Sequence, residues 1–155
     1  MYTYDISEPA QPRFISNFSH VYSCDPVVVD GDYAYVTLST ESWCGRNTNE
    51  LLILDIKNPE FVKEVAIYDM HQPKGLGIDG DTLFLCDEGL KVYDVSNPKD
   101  ITLLNKFNVP SLDVIPYQNR LLVIGPDGLI QYDYSGDTIK ELSSIPIERD
   151  GSDYQ

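Results

Sequence analysis

Short apolar runs separated by turn-forming residues recur along this chain. Val27-Val28-Val29 and Tyr33-Ala34-Tyr35-Val36 flank Asp30-Gly31-Asp32. Leu76-Gly77-Ile78 and Leu83-Phe84-Leu85 flank Asp79-Gly80-Asp81, and Val114-Ile115 and Leu121-Leu122-Val123-Ile124 flank Gln118-Asn119-Arg120. A Gly- or Asn-bearing pair between two apolar runs marks a tight hairpin, because the primed turns need positive φ. No segment carries a sustained helical period bounded by caps, so the pattern predicts strands throughout.

The hairpins belong to a repeat. Met1-Tyr2-Thr3-Tyr4-Asp5-Ile6-Ser7, Leu51 to Lys57, Leu90 to Ser96 and Leu129 to Ser135 share one pattern. Their aspartates stand at 5, 55, 94 and 133, and Pro turns follow the first three at Glu8-Pro9, Asn58-Pro59 and Asn97-Pro98. An insertion after Leu38 lengthens the first interval. One unit of 39 residues then holds four strands, A near 75–79, B near 82–86, C near 89–95 and D near 101–107. A four-stranded unit with a period of roughly 40 residues is the signature of a β-propeller blade. The expected architecture is all-β: a C/D half-blade over 1–18, full blades over 25–68, 75–107 and 111–146, and a polar tail at 148–155. Such an incomplete ring needs either the remainder of a longer propeller or self-association to cover its ends.

The Leu-Xaa-Val-Tyr-Asp-Val-Ser-Asn-Pro core at 90–98, the copy at 51–56 and Gly31-Asp32-Tyr33-Ala34-Tyr35-Val36 resemble the LVIVD-repeat proteins. Cys24-Asp25-Pro26-Val27-Val28-Val29, Trp43-Cys44-Gly45 and Gly75 to Gly80 are most similar to the Bacteroidetes-type lipoprotein branch. The resemblance implies a bacterial or archaeal propeller that is secreted or lipoprotein-anchored, hence extracytoplasmic, with no general activity or cofactor.

Composition narrows the partners. Lys plus Arg number 11 against 25 Asp plus Glu, a net charge of −14. Nucleic-acid binding needs a basic stripe that displaces counterions, so no nucleic-acid partner is expected, and anionic lipid is disfavoured for the same reason. No run of about 18 apolar residues exists, so membrane insertion by this segment is not expected. Met1 to Asp5 has neither a basic n-region nor an apolar h-region, unlike a signal peptide.

Candidate chemistry falls on two faces. Asp5, Asp55, Asp94 and Asp133 each end a strand ahead of a turn, where a carboxylate fixes the turn by accepting backbone N–H bonds. One per blade, they do not share a metal, and no metal ligand set or cofactor motif stands out. D–A and B–C loops emerge on the opposite face, which varies from blade to blade. It carries His20, Tyr22, Trp43, Arg46, His71, Lys74 and Asp113, expected to recognise a protein or a glycan. The alternative is a propeller hydrolase or lactonase with a metal in the central channel, for which Asp25, His71, Lys74 and Asp113 are the available side chains. Cys24 and Cys44 lie on the loop face of one blade and are expected to form a disulfide, whereas Cys86 ends a B strand as a buried thiol. Non-reducing digestion and mass spectrometry should find the Cys24–Cys44 peptide. Its closed loop of about 20 residues would contribute on the order of 3 kcal/mol, and alkylation of all three native cysteines would refute the pairing.

Overall fold

The computed structural model describes residues 1–18, 26–40, 48–136 and 138–147, and the regular elements among them are all β-strands. β1 (Tyr2–Asp5) and β2 (Arg13–Asn17) form a two-stranded sheet, blade 1. Blade 2 comprises β3 (Val27–Asp30), β4 (Tyr33–Leu38), β5 (Glu50–Asp55) and β6 (Lys63–Asp69). β7 (Pro73–Asp79), β8 (Thr82–Asp87), β9 (Leu90–Asp94) and β10 (Thr102–Phe107) make blade 3. Blade 4 holds β11 (Asp113–Tyr117), β12 (Arg120–Gly125), β13 (Gly128–Asp133) and β14 (Lys140–Pro146). All pairs are antiparallel, and spatial order within a sheet follows chain order. Blades meet chiefly through β3, β7 and β11, so the A strand lies innermost.

Strand alternation gives each blade two apolar faces. Tyr35, Leu51 and Ile53 of blade 2 pack on Leu76, Leu83, Leu85, Tyr93 and Val95 of blade 3. Phe84, Cys86, Leu90 and Val92 on the other side of blade 3 pack on Val114, Leu121, Val123 and Tyr132 of blade 4. Equivalent positions follow from the pairing register: Tyr35 corresponds to Phe84 and Leu122, and Thr37 to Cys86 and Ile124. Blade 1 rests on the opposite face of blade 2, where Met1 and Phe18 meet Ala34, Val36, Leu52 and Leu54. The Met1 ammonium donates to the Phe18 carbonyl at 2.8 Å, and the Ser16 hydroxyl donates to the Pro59 carbonyl.

The ends of the arc are apolar and open. Ile115 and Ile124 of blade 4 are 52% and 40% exposed, and Tyr2 and Tyr4 of blade 1 are 69% and 50% exposed. β3, although an inner strand, is not buried on both faces. Val27 and Val29 are largely exposed, because blade 1 sets no inner strands beside them among the described residues. Each C–D pair also carries a bulge at the same place, by Tyr4, Leu54, Asn105 and Tyr132, which the alternation pattern did not reveal.

The A–B turns are two-residue turns. Gly31 and Gly80 take φ of 51° and 54°, and Gln118 and Asn119 take 48° and 61°, as primed turns require. Gly77 serves another purpose. A Cβ there would strike the Pro116 ring and lie 2.7 Å from the Val114 carbonyl oxygen, so inner strands β7 and β11 approach only because Gly77 lacks one. Gly77→Ala should therefore cost about 3 kcal/mol, the upper part of the usual overpacking range. Gly80→Ala, with open space but positive φ, should cost about 1 kcal/mol. Urea unfolding of both variants checks the order, and the reverse order would refute the close approach.

Candidate functional site

The turn face is built from one repeated device. Asp5, Asp55, Asp94 and Asp133 accept the amide N–H of the residue two further on, at 2.9, 3.0, 2.8 and 2.8 Å. Asn58 and Asn97 accept the Glu60 and Lys99 amides in the same way. The Arg13 guanidinium, 2.8 Å from Asp5, and the Ser7 amide bring the Asp5 carboxyl down to about 2. Hydrogen bonds from Ser96 and Ser135 hold Asp94 and Asp133 below the ordinary carboxylate value. These groups are committed to their turns.

The loop face is organised differently. Asp87, at the end of β8, is buried, and its carboxylate accepts the Gln72 amide at 2.6 Å and the His71 amide at 3.2 Å. Lys91 Nζ completes the set at 2.6 Å, itself nearly buried. Burial opposes the charge on Asp87, but the bonds from Lys91, Gln72 and His71 outweigh it and keep the carboxyl below its ordinary value. One carboxylate thus ties the D–A loop entering blade 3 to the B–C turn of the same blade. The next residue, Glu88, sits at φ 51°, an uncommon conformation for a side-chain-bearing residue. Its carboxylate lies 3.5 Å from His71 Nδ1 and 3.9 Å from Lys106 Nζ.

Beside this network runs a groove of about 290 Å³ between blades 3 and 4, walled by Gln72, Lys74, Glu88, Ser111, Leu112 and Pro126. Its frame is fixed by backbone bonds. The Gly75 amide donates to Leu112 O at 2.9 Å, the Leu112 amide to Ile124 O at 2.7 Å, and the Ser111 hydroxyl to Gly89 O at 3.1 Å. The Lys74 carbonyl accepts the buried Thr37 hydroxyl of blade 2 at 2.6 Å.

Of the residues singled out from sequence, His71, Lys74 and Asp113 fall on this face. Lys74 and Asp113 lie at the beginnings of neighbouring inner strands, with Asp113 against Gly75. His71 stands further out, beside Glu88. His20, Tyr22, Cys24, Asp25, Trp43, Cys44 and Arg46 lie outside the described residues. Cys86 is a buried free thiol, pushed up to about 11 by burial, and so is a poor nucleophile at neutral pH. Among the described residues no three His, Cys, Asp or Glu side chains converge on a metal position. Asp87, Glu88, Lys91 and Ser111 were not singled out from sequence. The available signal was Asp87-Glu88-Gly89 between two apolar strands with Lys91 close behind.

Four-stranded antiparallel sheets, innermost strand first and packed face to face around an arc, define a β-propeller. The LVIVD repeat model matches residues 23–70 and 75–109, and the chain belongs to the LVIVD-repeat family. None of the curated proteins compared with the chain matches it. Among solved structures, it is similar to a chain of the nidogen/laminin complex, with 17% identity and a TM-score of 0.59. That match covers 88% of this chain and 52% of the other, so the chain spans about half the length of that relative. The N-terminal domain of Nup159 matches at 15% identity and a TM-score of 0.49, over 79% of this chain and 30% of that one. At 17% identity the nidogen/laminin likeness shows the fold alone.

The Asp87 network has a testable pH signature. A carboxyl whose folded-state pKa is depressed contributes stability in full above its unfolded value, and that stability is lost as pH falls through the folded value. Melting temperature should hold from pH 7 to about 5 and fall below about 4. Asp87→Asn should flatten that acid limb; an unchanged limb would exclude Asp87 as a contributor. Lys91→Ala, which strands a buried carboxylate, should cost about 3–5 kcal/mol at neutral pH.

Proposed function

We propose that this propeller segment is a non-catalytic binding or scaffold module of an extracytoplasmic protein, recognising a protein or glycan through its D–A/B–C loop face. One observation carries the reading: the contrast between the two faces. The turn face repeats one Asp-centred device, and its aspartates are bound by the turns. The loop face instead holds a groove between two blades, with a frame of backbone bonds and a mixed polar and apolar wall, whereas the hollow on the turn face is walled by the turn residues Asp55, Lys57, Asn58, Phe61 and Lys63 themselves. Variable loops on a rigid scaffold are where binding usually resides. Trp43 and Arg46 lie outside the described residues; the sequence puts them in the insertion between the B and C strands of blade 2, and they are anchor-type side chains.

Glycan arrays and pull-downs from extracytoplasmic fractions supply the partner. Trp43→Ala, Arg46→Ala and Lys74→Ala should each weaken its binding by roughly 1–3 kcal/mol while changing the melting temperature little. Asn97→Ala, on the turn face, should lower stability and leave affinity unchanged. Loss of binding with Asn97→Ala alone would place recognition on the other face.

A further inference from the structure

One position of the repeat is filled differently in each complete blade. Tyr33, Thr82 and Arg120 correspond, since each starts its B strand between two paired neighbours: Asp30 and Asp55, Asp79 and Asp94, Tyr117 and Asp133. Directly paired residues share a sheet face. Thr82 and Asp94 therefore lie on the face that Phe84 turns to blade 4, as Tyr33 and Asp55 lie on the face that Tyr35 turns to blade 3.

The difference opens a space. Tyr33 and Val65 pack on the core between blades 2 and 3. Their counterparts in the next seam are Thr82 and Leu104, the latter being the bulged residue between Leu103 and Asn105. Thr82 is too short to replace a phenol ring, and Leu104 is 57% exposed. A cavity of about 500 Å³ results, with buried Phe84 and Val92 as its floor, Leu104, Tyr134 and Ile139 at its sides and Thr82 at its turn end. The Tyr134 wall is fixed, because its ring meets Phe84 edge-on at 5.0 Å and its hydroxyl donates to Asp79.

Charge at the same end is uncompensated. The strand-ending aspartates of blades 1, 3 and 4 give Oδ1 to a turn amide. The second oxygen, Oδ2, takes Arg13 at 2.8 Å in blade 1 and Arg120 at 2.5 Å in blade 4. Asp94 has its bonds from Ser96, but among the described residues no cation stands within ion-pair distance of it. Blade 2 thus supplies a ring at this repeat position and blade 4 a cation, whereas blade 3 supplies neither.

We infer that this cavity binds a small arylalkylamine, its aromatic ring seated on Phe84 and Val92 where Tyr33 would fill the seam and its protonated amine on Asp94 as Arg120 is on Asp133. Side chains of directly paired residues stand about 5 Å apart, a gap that a two-carbon arm spans. An apolar pocket with one placed charge is the common make-up of a small-molecule site, and a net charge of −14 favours the approach of a cation. The cavity lies in the outer, turn-side part of the seam, away from the loop-face groove, so its test is independent of the proposed recognition.

The probe is 2-phenylethylamine, titrated into the whole chain and followed by methyl NMR. The Leu104 and Ile139 methyl resonances should shift and saturate. 2-Phenylethanol, with the same ring and no charge, should bind about tenfold more weakly, the usual worth of a hydrogen bond to a charged group. Asp94→Asn should bring the amine down to the affinity of the alcohol while keeping the turn, since Asn58 and Asn97 accept amides in the same way. Thr82→Tyr should fill the cavity and abolish binding without lowering the melting temperature. Equal binding of amine and alcohol, unmoved Leu104 and Ile139 methyls, or undiminished binding by folded Thr82→Tyr would overturn the inference. So would equal shifts of these methyls with butylamine, which would reduce the effect to charge alone.

Discussion

Coverage of sheet faces governs this structure. Each blade carries apolar side chains on both faces, and a lone four-stranded sheet leaves both in water. Burying one large apolar side chain contributes about 1.5–3 kcal/mol, and each of the two seams between complete blades gathers eight buried ones. Blade 3 is covered on both sides and holds many of the fully buried residues, including Phe84, Leu83, Leu85, Cys86 and Leu90. The glycine at 77, the tight A–B turns and the bulged outer strands all serve the same packing. They let inner strands approach at the axis while outer strands splay.

That constraint explains what was legible in the sequence. Alternation, turn glycines and the strand-ending aspartates are local signals repeated in register, and each repeat strengthens the others. They were enough to place the strands of blades 2, 3 and 4 and to assign the family. The exposed valines of β3 were not legible, because Val27-Val28-Val29 reads as a buried inner strand whichever neighbour is beside it. The bulges escaped because one extra residue in a D strand such as β6 or β10 does not disturb a pattern that already mixes polar and apolar residues and is largely exposed.

The site was only partly legible for a similar reason. His71, Lys74 and Asp113 could be assigned to the loop face from topology. Asp87 could not, because its role depends on a loop fifteen or sixteen residues earlier in the chain delivering two amides to one buried carboxylate. A carboxylate beside a glycine reads as turn chemistry in blade 3 as it does elsewhere. Full burial separates it from the half-buried aspartates of the opposite face, of which Asp5 and Asp133 also have a cationic partner.

If covered faces hold the arc together, protection should follow coverage rather than strand length or propensity. Native-state hydrogen exchange under low denaturant measures this directly. Amides of β8 and β9, sandwiched between two neighbours, should exchange only through the global unfolding of the chain. Amides of β14 and β2, at the outer edges of the end blades, should exchange through smaller openings. Equal protection of β14 and β8 would contradict the dependence of each blade on its neighbours.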